Sequence, residues 1–162
     1  MMTFDDEYYM RRALNEAQNA FDHGEVPVGA VAVCDGKIIG RAWNQVEQLK
    51  DATAHAEILV ITQAAAAIGD WRLENVDIYV TKEPCAMCAG AMVNSRVRRL
   101  IFGLGDPRSG AAGGALDVTG FSGMLHNVEV TSGILAEECR ELMQSFFKLV
   151  RGSSENNKSK FY

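Results

Sequence analysis

Two short segments of the sequence carry side chains that bind transition metals. His55 and Glu57 stand two residues apart in Thr-Ala-His-Ala-Glu, and Cys85 and Cys88 stand three apart in Glu-Pro-Cys-Ala-Met-Cys. One imidazole and two thiolates favour Zn²⁺ over other divalent ions. A structural zinc site normally closes with four protein ligands, whereas a catalytic site has three and leaves one position for water. Because no further His or Cys stands at a matching spacing, the pattern predicts a catalytic zinc ion, one per chain.

Glu57 provides the proton carrier that a zinc-activated water needs. A catalytic zinc lowers the pKa of its bound water to about 7 and makes it a nucleophile at neutral pH. When that water attacks an aromatic ring carbon, a nearby group must carry protons to the ring nitrogen and to the departing amine. We therefore predict that Glu57 is the catalytic proton shuttle and that the metal ligands are His55, Cys85 and Cys88.

Each half of this pattern has a simpler interpretation when it stands alone. Cys-x-x-Cys can be a redox pair or half of a structural zinc knuckle, and His-x-Glu is a common pair. The combination, with Pro84 directly before Cys85, matches the signature of zinc-dependent nucleobase deaminases. A zinc-stabilised binding subunit without catalysis is an alternative, but a structural site has no use for a proton shuttle such as Glu57.

Hydrophobic spacing and turn residues indicate the elements that must position these side chains. Helices are predicted over residues 5–23, 53–68, 84–95 and 137–151, and strands over 26–34, 37–44, 77–81, 98–103 and 128–131. Asp35-Gly36 predicts a tight hairpin turn, Thr53 an N-cap, and Pro84 the first residue of a helix. A glycine-rich loop is expected over 105–123. This order predicts an α/β fold, a three-layer α/β/α sandwich around a mixed five-stranded sheet.

The helical positions raise a geometric question for the site. Cys85 and Cys88 lie three apart on one face of a first helical turn, where the helix dipole favours thiolates. His55 and Glu57, at positions i and i+2, would point about 200° apart in a regular helix. They can converge on one ion only if His55 lies at the irregular edge of its helix, which a cap at Thr53 allows.

Composition limits the class of protein. The chain has 162 residues, 48% of them hydrophobic, which is enough for one domain with its own core. We expect a single domain over residues 1–151 and a disordered tail over 152–162. The sequence has no apolar run of about 18 residues and an acidic N-terminus, so we expect neither a membrane span nor a signal peptide, and a cytoplasmic location. Cys34 and Cys139 are expected to be buried thiols.

The charge distribution bears on a nucleic-acid substrate. The net charge of −5 argues at first sight against such a substrate. Half of the 16 Lys and Arg residues, however, lie in two short stretches, 96–108 and 148–160. A local basic face is therefore compatible with the acidic total, although solvated surface charge is the commoner explanation of such clusters.

The chain resembles the bacterial tRNA-specific adenosine deaminases along nearly its whole length. The matching segments are residues 25–31, 53–57, 79–81, 83–92, 102–103, Asp106 with 110–113, and 133–136. Many deaminases share the zinc signature, so the segment 106–113 and the C-terminal pattern are what indicate the tRNA-specific branch. The resemblance implies the cytidine deaminase-like version of the fold.

The resemblance also implies a reaction and its partners. The reaction would be zinc-dependent hydrolysis of adenosine to inosine at the wobble position of tRNA, with the water attacking C6 of a flipped-out adenine. The partners would be the anticodon stem-loop and a second copy of the chain in a homodimer. By position, Asn44 would hydrogen-bond the target base, and Asp106 would lie in the loop that holds the neighbouring nucleotides. A simple turn residue before Pro107 is the alternative interpretation of Asp106.

The C-terminal helix departs from the family pattern. Many members have Phe-Tyr-x-x-Arg-Arg, whereas this chain has Phe-Phe-Lys-Leu-Val-Arg at 146–151, with Val150 at the position of the first Arg. The predicted substrate contacts are Phe147, Lys148 and Arg151, and Phe146 is expected in the core. Because Val150 carries no charge, one phosphate contact of the family is expected to be missing.

A small-molecule deaminase acting on guanine, cytosine or a free nucleoside is the alternative function with the same zinc chemistry. It needs no basic face, and the acidic composition suits it. The two functions differ in a simple property. Turnover of tRNA should fall steeply with salt, whereas turnover of a free base should not.

Overall fold

The chain folds around a mixed five-stranded sheet in this computed structural model, which describes residues 4–153. The strands are β1 (Gly29–Cys34), β2 (Lys37–Trp43), β3 (Val76–Lys82), β4 (Arg99–Leu104) and β5 (Glu129–Thr131). Their order in the sheet is β2-β1-β3-β4-β5. β1 is antiparallel to β2 and β3, whereas β3, β4 and β5 are parallel. The predicted mixed sheet is confirmed.

Helices cover both faces of this sheet. They are α1 (Asp6–Asp22), α2 (Val46–Leu49), α3 (Ala56–Ile68), α4 (Ala86–Asn94) and α5 (Ala136–Ser153). α1 and α5 pack on one face, and α3 and α4 pack on the other. The predicted three-layer arrangement is therefore confirmed, and its cause is that the central strands are apolar on both faces.

Alternate residues of the central strands divide between two cores. Val31 and Ile101 lie in the core beneath α1, whereas their neighbours Ala30 and Leu100 lie in the core beneath α3 and α4. All four side chains are fully buried. Burial of a side chain such as Leu100 stabilises the fold by about 1.5–3 kcal/mol relative to leaving it exposed. The two cores together fix the register of the strands.

The strand directions gather the functional candidates at one edge of the sheet. β2 and β3 both run antiparallel to β1, so they share one direction, which is also that of β4. Their carboxyl ends therefore meet at one edge, where ligands bind in open α/β sheets. Asn44 follows β2, Glu83 and Cys85 follow β3, and Asp106 follows β4.

Element boundaries agree with the predictions within three residues, and the differences have local causes. Asp35 and Gly36 have φ values of 50° and 74°, as the predicted hairpin turn requires. The unpredicted α2 has only four residues, too few for a hydrophobic period to be recognised. α5 continues through the first two residues of the predicted tail, and the rest of that tail, 154–162, lies outside the described residues. Within 4–153, no helix is both long and apolar enough to cross a membrane.

Candidate active site

His55 and Cys85 are the N-cap residues of two neighbouring helices. His55 precedes α3 with φ −74° and ψ 151°, and Cys85 precedes α4 with φ −72° and ψ 175°. Both backbones are extended, so both side chains start outside the regular helical turn. His55 therefore lies at the irregular edge of its helix, as its spacing from Glu57 demanded.

The predicted helix starts at Thr53 and Pro84 are wrong. The Thr53 hydroxyl and backbone N–H both donate to the carboxylate of Asp51, at 2.7 and 2.8 Å, so this residue closes a turn before the helix. Pro84 precedes the cap residue Cys85 and is not the first residue of α4. Each helix thus starts directly after a predicted metal ligand.

The three predicted metal ligands converge. Nδ1 of His55 lies 3.7 Å from Sγ of Cys85 and 3.5 Å from Sγ of Cys88, and the three ligand atoms lie within 4.8 Å of one another. A tetrahedral ion about 2.3 Å from sulfur and about 2.0–2.1 Å from nitrogen would separate N and S by about 3.6 Å. Both the donor types and their spacing therefore fit one zinc ion, with the fourth ligand position left for water.

The protonation of the two thiols also fits a metal site. Hydrogen bonds from Cys88 and His55 lower the pKa of Cys85 to about 3. The hydrogen bond to Cys85, together with burial, raises the pKa of Cys88. Cys85 is therefore the more readily ionised of the two thiols, with the His55 imidazole beside it. The second proton would leave on metal binding, because metal-bound cysteines are deprotonated.

Glu57 is buried beside this cluster, with 4% of its surface exposed. It is the second residue of α3, two positions after the cap residue His55. Burial raises the pKa of Glu57 above its ordinary value. A raised pKa favours the protonated carboxyl group, so it makes Glu57 a better proton acceptor, as the predicted proton shuttle requires.

A cavity of about 370 Å³ opens over the cluster at the carboxyl edge of the sheet. His55, Glu57 and Cys85 line it. Cys88 is fully buried and is not among the described residues that line the cavity. The volume falls in the range of small-molecule sites, about 300–1,000 Å³, so the cavity can hold one nucleoside but not a stacked strand.

Three of the five predicted substrate contacts lie on the cavity wall. They are Asn44, Asp106 and Phe147. The other two, Lys148 and Arg151, are exposed on α5 and do not belong to the described lining. Lys148 points about 100° away from Phe147 around the helix, and Arg151 lies one turn further along it.

The two adjacent phenylalanines of α5 have different environments. Phe146 is buried, and its ring meets that of Phe21 edge-on at a centroid distance of 5.9 Å. Phe147 is 38% exposed and lines the cavity. The expectation that Phe146 is a core residue is confirmed, and Phe147 is left available for a ligand.

Asn44 brings an unpaired acceptor to the cavity wall. Its Nδ2 donates to the carbonyl oxygen of Val26 at 3.3 Å, which orients the amide. Its Oδ1 is buried and has no partner among residues 4–153. A buried acceptor without a donor is costly, so a ligand N–H or O–H would be bound favourably here.

Glu83, which was not among the sequence-based candidates, holds the loop that carries Asp106. Its carboxylate, 5% exposed, accepts the backbone N–H groups of Asp106, Ala112 and Gly114 at 2.9, 3.0 and 2.8 Å. A Cβ added at Gly110 would lie 2.5 Å from Oε1 of Glu83, so the loop backbone wraps closely around the carboxylate. Three charge-assisted hydrogen bonds make this the main anchor of the loop.

Glu25 is a second buried carboxylate on the cavity wall that accepts backbone N–H groups, in its case from α2. Its carboxylate, 1% exposed, accepts the N–H groups of Glu47 at 2.6 Å and of Gln48 at 3.1 Å, at the start of α2. The only sequence signal for Glu25 and Glu83 is an acid directly beside an apolar run, where a buried charge needs internal partners.

Asp106 is both a turn residue and part of the cavity wall. Its carboxylate accepts the N–H groups of Arg108 and Ser109 and the Ser109 hydroxyl, at 2.9, 3.1 and 2.7 Å. Nζ of Lys82 lies 3.1 Å from its Oδ2. Although burial opposes the change, these partners lower the pKa of Asp106 below its ordinary value. The turn interpretation is confirmed, and it does not exclude a contact with substrate.

Two of the four arginines in the first basic stretch are paired with acidic side chains. Arg98 donates to Asp77 at 2.8 and 2.6 Å, and Arg99 lies 3.1 Å from Asp6. These ion pairs link the start of β4 to β3 and to α1, and they compensate the charges of both guanidinium groups. Two members of the second stretch, Lys158 and Lys160, lie outside the described residues.

The chain is similar in sequence to known proteins. The chain matches the MafB19-like deaminase family over residues 4–151. It is 48% identical to a tRNA-specific adenosine deaminase of Bacillus subtilis over 146 residues, which are 90% of this chain and 91% of that protein. A tRNA-specific adenosine deaminase of Haemophilus influenzae is 46% identical over 155 residues, which are 95% of this chain and 90% of that protein.

Solved structures agree with the sequence matches. A structure from a study of A-to-I editing by tRNA:A34 deaminases superposes with a TM-score of 0.81 at 44% identity, over 83% of this chain and 98% of that chain. A guanine deaminase from Nitrosomonas europaea superposes with a TM-score of 0.78 at 22% identity, over 90% and 86%, a likeness of fold alone. The chain therefore has the cytidine deaminase-like fold and belongs to the MafB19-like deaminases and, within them, to the family of tRNA-specific adenosine deaminases.

Proposed function

We propose that this protein is a zinc-dependent enzyme that converts adenosine to inosine at the wobble position of a tRNA, with water consumed and ammonia released. One observation carries the proposal. The cluster of His55, Cys85 and Cys88 lies beside the buried Glu57 at the base of a nucleoside-sized cavity, in a chain of the tRNA-specific adenosine deaminase family.

The residues at the base of the cavity would divide the chemistry. His55, Cys85 and Cys88 would hold a zinc ion, which when bound acidifies water for attack on an electrophilic carbon. Glu57 would take a proton from the water, deliver it to N1 of the adenine and then transfer a proton to the amine leaving C6. The burial of Glu57 supports this role, because the carboxyl group can hold a proton between the two transfers.

The residues on the wall would select and orient the base. The unpaired Oδ1 of Asn44 can accept a hydrogen bond from a base or ribose donor. Phe147 offers an exposed ring on which a neighbouring base can stack. Because the cavity is too small for a stacked loop, the target adenosine must leave its stack to enter, and an anticodon loop allows this at low cost.

The proposal includes a homodimer in the cytoplasm. Family membership is its main support. Large apolar side chains are also exposed after the 105–114 loop: Leu116, Phe121 and Leu125 are 53, 57 and 88% exposed, as the contact surface of a second copy would be. Light scattering on the purified protein should give twice the chain mass, and Phe121→Glu with Leu125→Glu should give the monomer mass. A wild-type monomer would contradict this part of the proposal.

The decisive experiment incubates the zinc-loaded protein with an arginine tRNA that has adenosine at the wobble position, followed by sequencing for inosine. We expect conversion at that adenosine alone. Glu57→Gln should keep one zinc per chain and lose about 10²–10⁴-fold in turnover, as removal of a general acid–base does. Absence of conversion by a fully zinc-loaded wild-type protein would refute the tRNA substrate and favour a free base or nucleoside.

A further inference from the structure

The charged side chains of the cavity wall are mostly acidic. Among the described residues that line it, Lys82 is the only Lys or Arg. Five carboxylates share the wall with it, on Glu25, Glu47, Glu57, Glu83 and Asp106. A polyanion that approaches such a wall is repelled unless a cation is placed where its phosphates arrive.

Asp106 does not depend on Lys82 for its hydrogen bonds. Its carboxylate already accepts two backbone N–H groups and one hydroxyl from its own turn. The ion pair with Lys82 is an additional contact at 3.1 Å, and the Lys82 side chain is 34% exposed. A partly exposed ion pair of this kind contributes little to stability. A purely structural role therefore explains Lys82 poorly.

The ammonium group of Lys82 has N–H donors that a ligand can use. An ammonium has three N–H donors, and within residues 4–153 Lys82 forms an ion pair with Asp106 alone. Lys82 is the last residue of β3, at the carboxyl edge of the sheet. Its side chain is 34% exposed whereas Glu57 is 4% exposed, so the ammonium group can be reached from solvent. A nucleotide whose base enters the cavity keeps its flanking phosphates on the solvent side, where such a group can meet them.

We propose that Lys82 binds a phosphodiester next to the target adenosine and that Asp106 holds its ammonium group in place. The inference rests on the proposed function, because it assumes an RNA substrate. The basic residues predicted from the sequence do not replace Lys82 at this point, since neither Lys148 nor Arg151 belongs to the described lining of the cavity. The positive charge of Lys82 thus offsets the negative charge of a wall that would otherwise repel the backbone of the RNA.

The test uses the full-length, zinc-loaded enzyme and an anticodon stem-loop RNA in which single phosphodiesters near the target adenosine are replaced by neutral methylphosphonates. One such replacement should lower wild-type kcat/KM about tenfold, as loss of a hydrogen bond to a charged group does. Lys82→Met should cause a similar loss on the unmodified RNA, and the same replacement should then have no further effect. The slope of log affinity against log salt should become less steep by about 0.7, and Lys82→Arg should restore both properties.

Lys37→Met is the matched control. Lys37 is exposed at the start of β2, at the opposite end of that strand from Asn44, and is not part of the described lining. Unchanged RNA affinity and salt slope in Lys82→Met, or an equal loss on every modified RNA, would overturn the inference. If the wild-type enzyme failed to deaminate the unmodified RNA, the proposed function would be refuted, but the affinity and salt-slope measurements would still decide the role of Lys82.

Discussion

The floor and the rim of the cavity are built in different ways. The floor consists of His55, Glu57 and Cys85, with the buried Cys88 in contact with His55, and it comes from the starts of α3 and α4, which pack against the sheet. The rim consists of the 105–114 loop and the Phe147 side of α5, which are irregular or exposed, and the loop is anchored mainly by the carboxylate of Glu83. Because the two regions are held by different contacts, a substitution can impair the recognition of RNA and leave the zinc site intact, or the reverse.

The largest effect is expected from a change in the floor. Cys88→Ala should lose zinc, turnover and thermal stability together, because metal binding and folding are coupled. Zinc content, turnover and Tm are measured on the same preparation. Cys139→Ala is the matched control, since Cys139 is also a buried thiol, 4% exposed, but lies in the core under α1. A Cys88→Ala protein with one zinc per chain and full turnover would show that Cys88 is not a zinc ligand.

A smaller effect is expected when the anchor of the rim is weakened. Glu83→Gln replaces one of the two oxygens that accept backbone N–H groups by an amide NH₂, so the loop should loosen. We expect kcat/KM for tRNA to fall about 10- to 100-fold, mainly through KM, because hydrogen bonds to charged groups contribute about 1.5–3 kcal/mol each. Zinc content should be unchanged, as it should be in the exposed control Glu74→Gln. Loss of zinc in Glu83→Gln would mean that floor and rim are not separable.

A still smaller effect is expected at the α5 side of the rim. Phe147→Ala should raise KM for tRNA about tenfold, because stacking of a base on an aromatic side chain contributes about 1–3 kcal/mol. Turnover at saturating tRNA should stay near the wild-type value. Leu149→Ala, a change at a similarly exposed position of α5 that is not part of the described lining, should have no effect on KM. Equal KM values in the two variants would show that Phe147 does not contact the RNA.

The smallest effect is a pH dependence of stability at Asp106. The pKa of Asp106 is held below its ordinary value of 3.8 in the folded protein. A lowered pKa stabilises the fold fully at pH values above the ordinary pKa, and this contribution is lost as the pH falls towards the folded value. The difference in unfolding free energy between wild type and Asp106→Asn should therefore be largest at pH 7 and shrink below pH 4. Urea unfolding at both pH values measures it, and a constant difference would contradict the rim contacts of Asp106.

The floor could be predicted from the sequence because its signals are local. His55 and Glu57 lie in one short segment, as do Cys85 and Cys88, and each residue type has few other uses at that spacing. The sheet followed from apolar runs and from the Asp35-Gly36 turn, which fixes a hairpin by its backbone alone. Thr53 was misassigned as a cap because Asp51 competes for its hydroxyl, and such side-chain competition leaves no trace in hydrophobic spacing.

The rim could not be predicted to the same depth because its contacts are distant in sequence. Glu83 meets N–H groups that lie 23 to 31 residues away, and Glu25 meets groups 22 and 23 residues away. The charge of Lys82 matters only beside Asp106, which is brought to it by the parallel pairing of β3 and β4. The sequence pattern alone predicts neither the hydrogen-bond partners of these charged side chains nor whether they are buried.

The close fit between Glu83 and the glycines around it limits how this loop can evolve. Cβ atoms added at Gly110 and Gly114 would each lie 2.5 Å from Oε1 of Glu83 and would also clash with the carbonyl oxygen of Asp106, so neither glycine can gain a side chain unless the loop backbone shifts. Loss of Glu83 would leave three backbone N–H groups without their hydrogen-bond acceptor. All three positions should therefore resist substitution in related lineages. Divergence in RNA preference should instead accumulate at exposed neighbours such as Pro107 and Arg108, where substitutions leave the anchor intact.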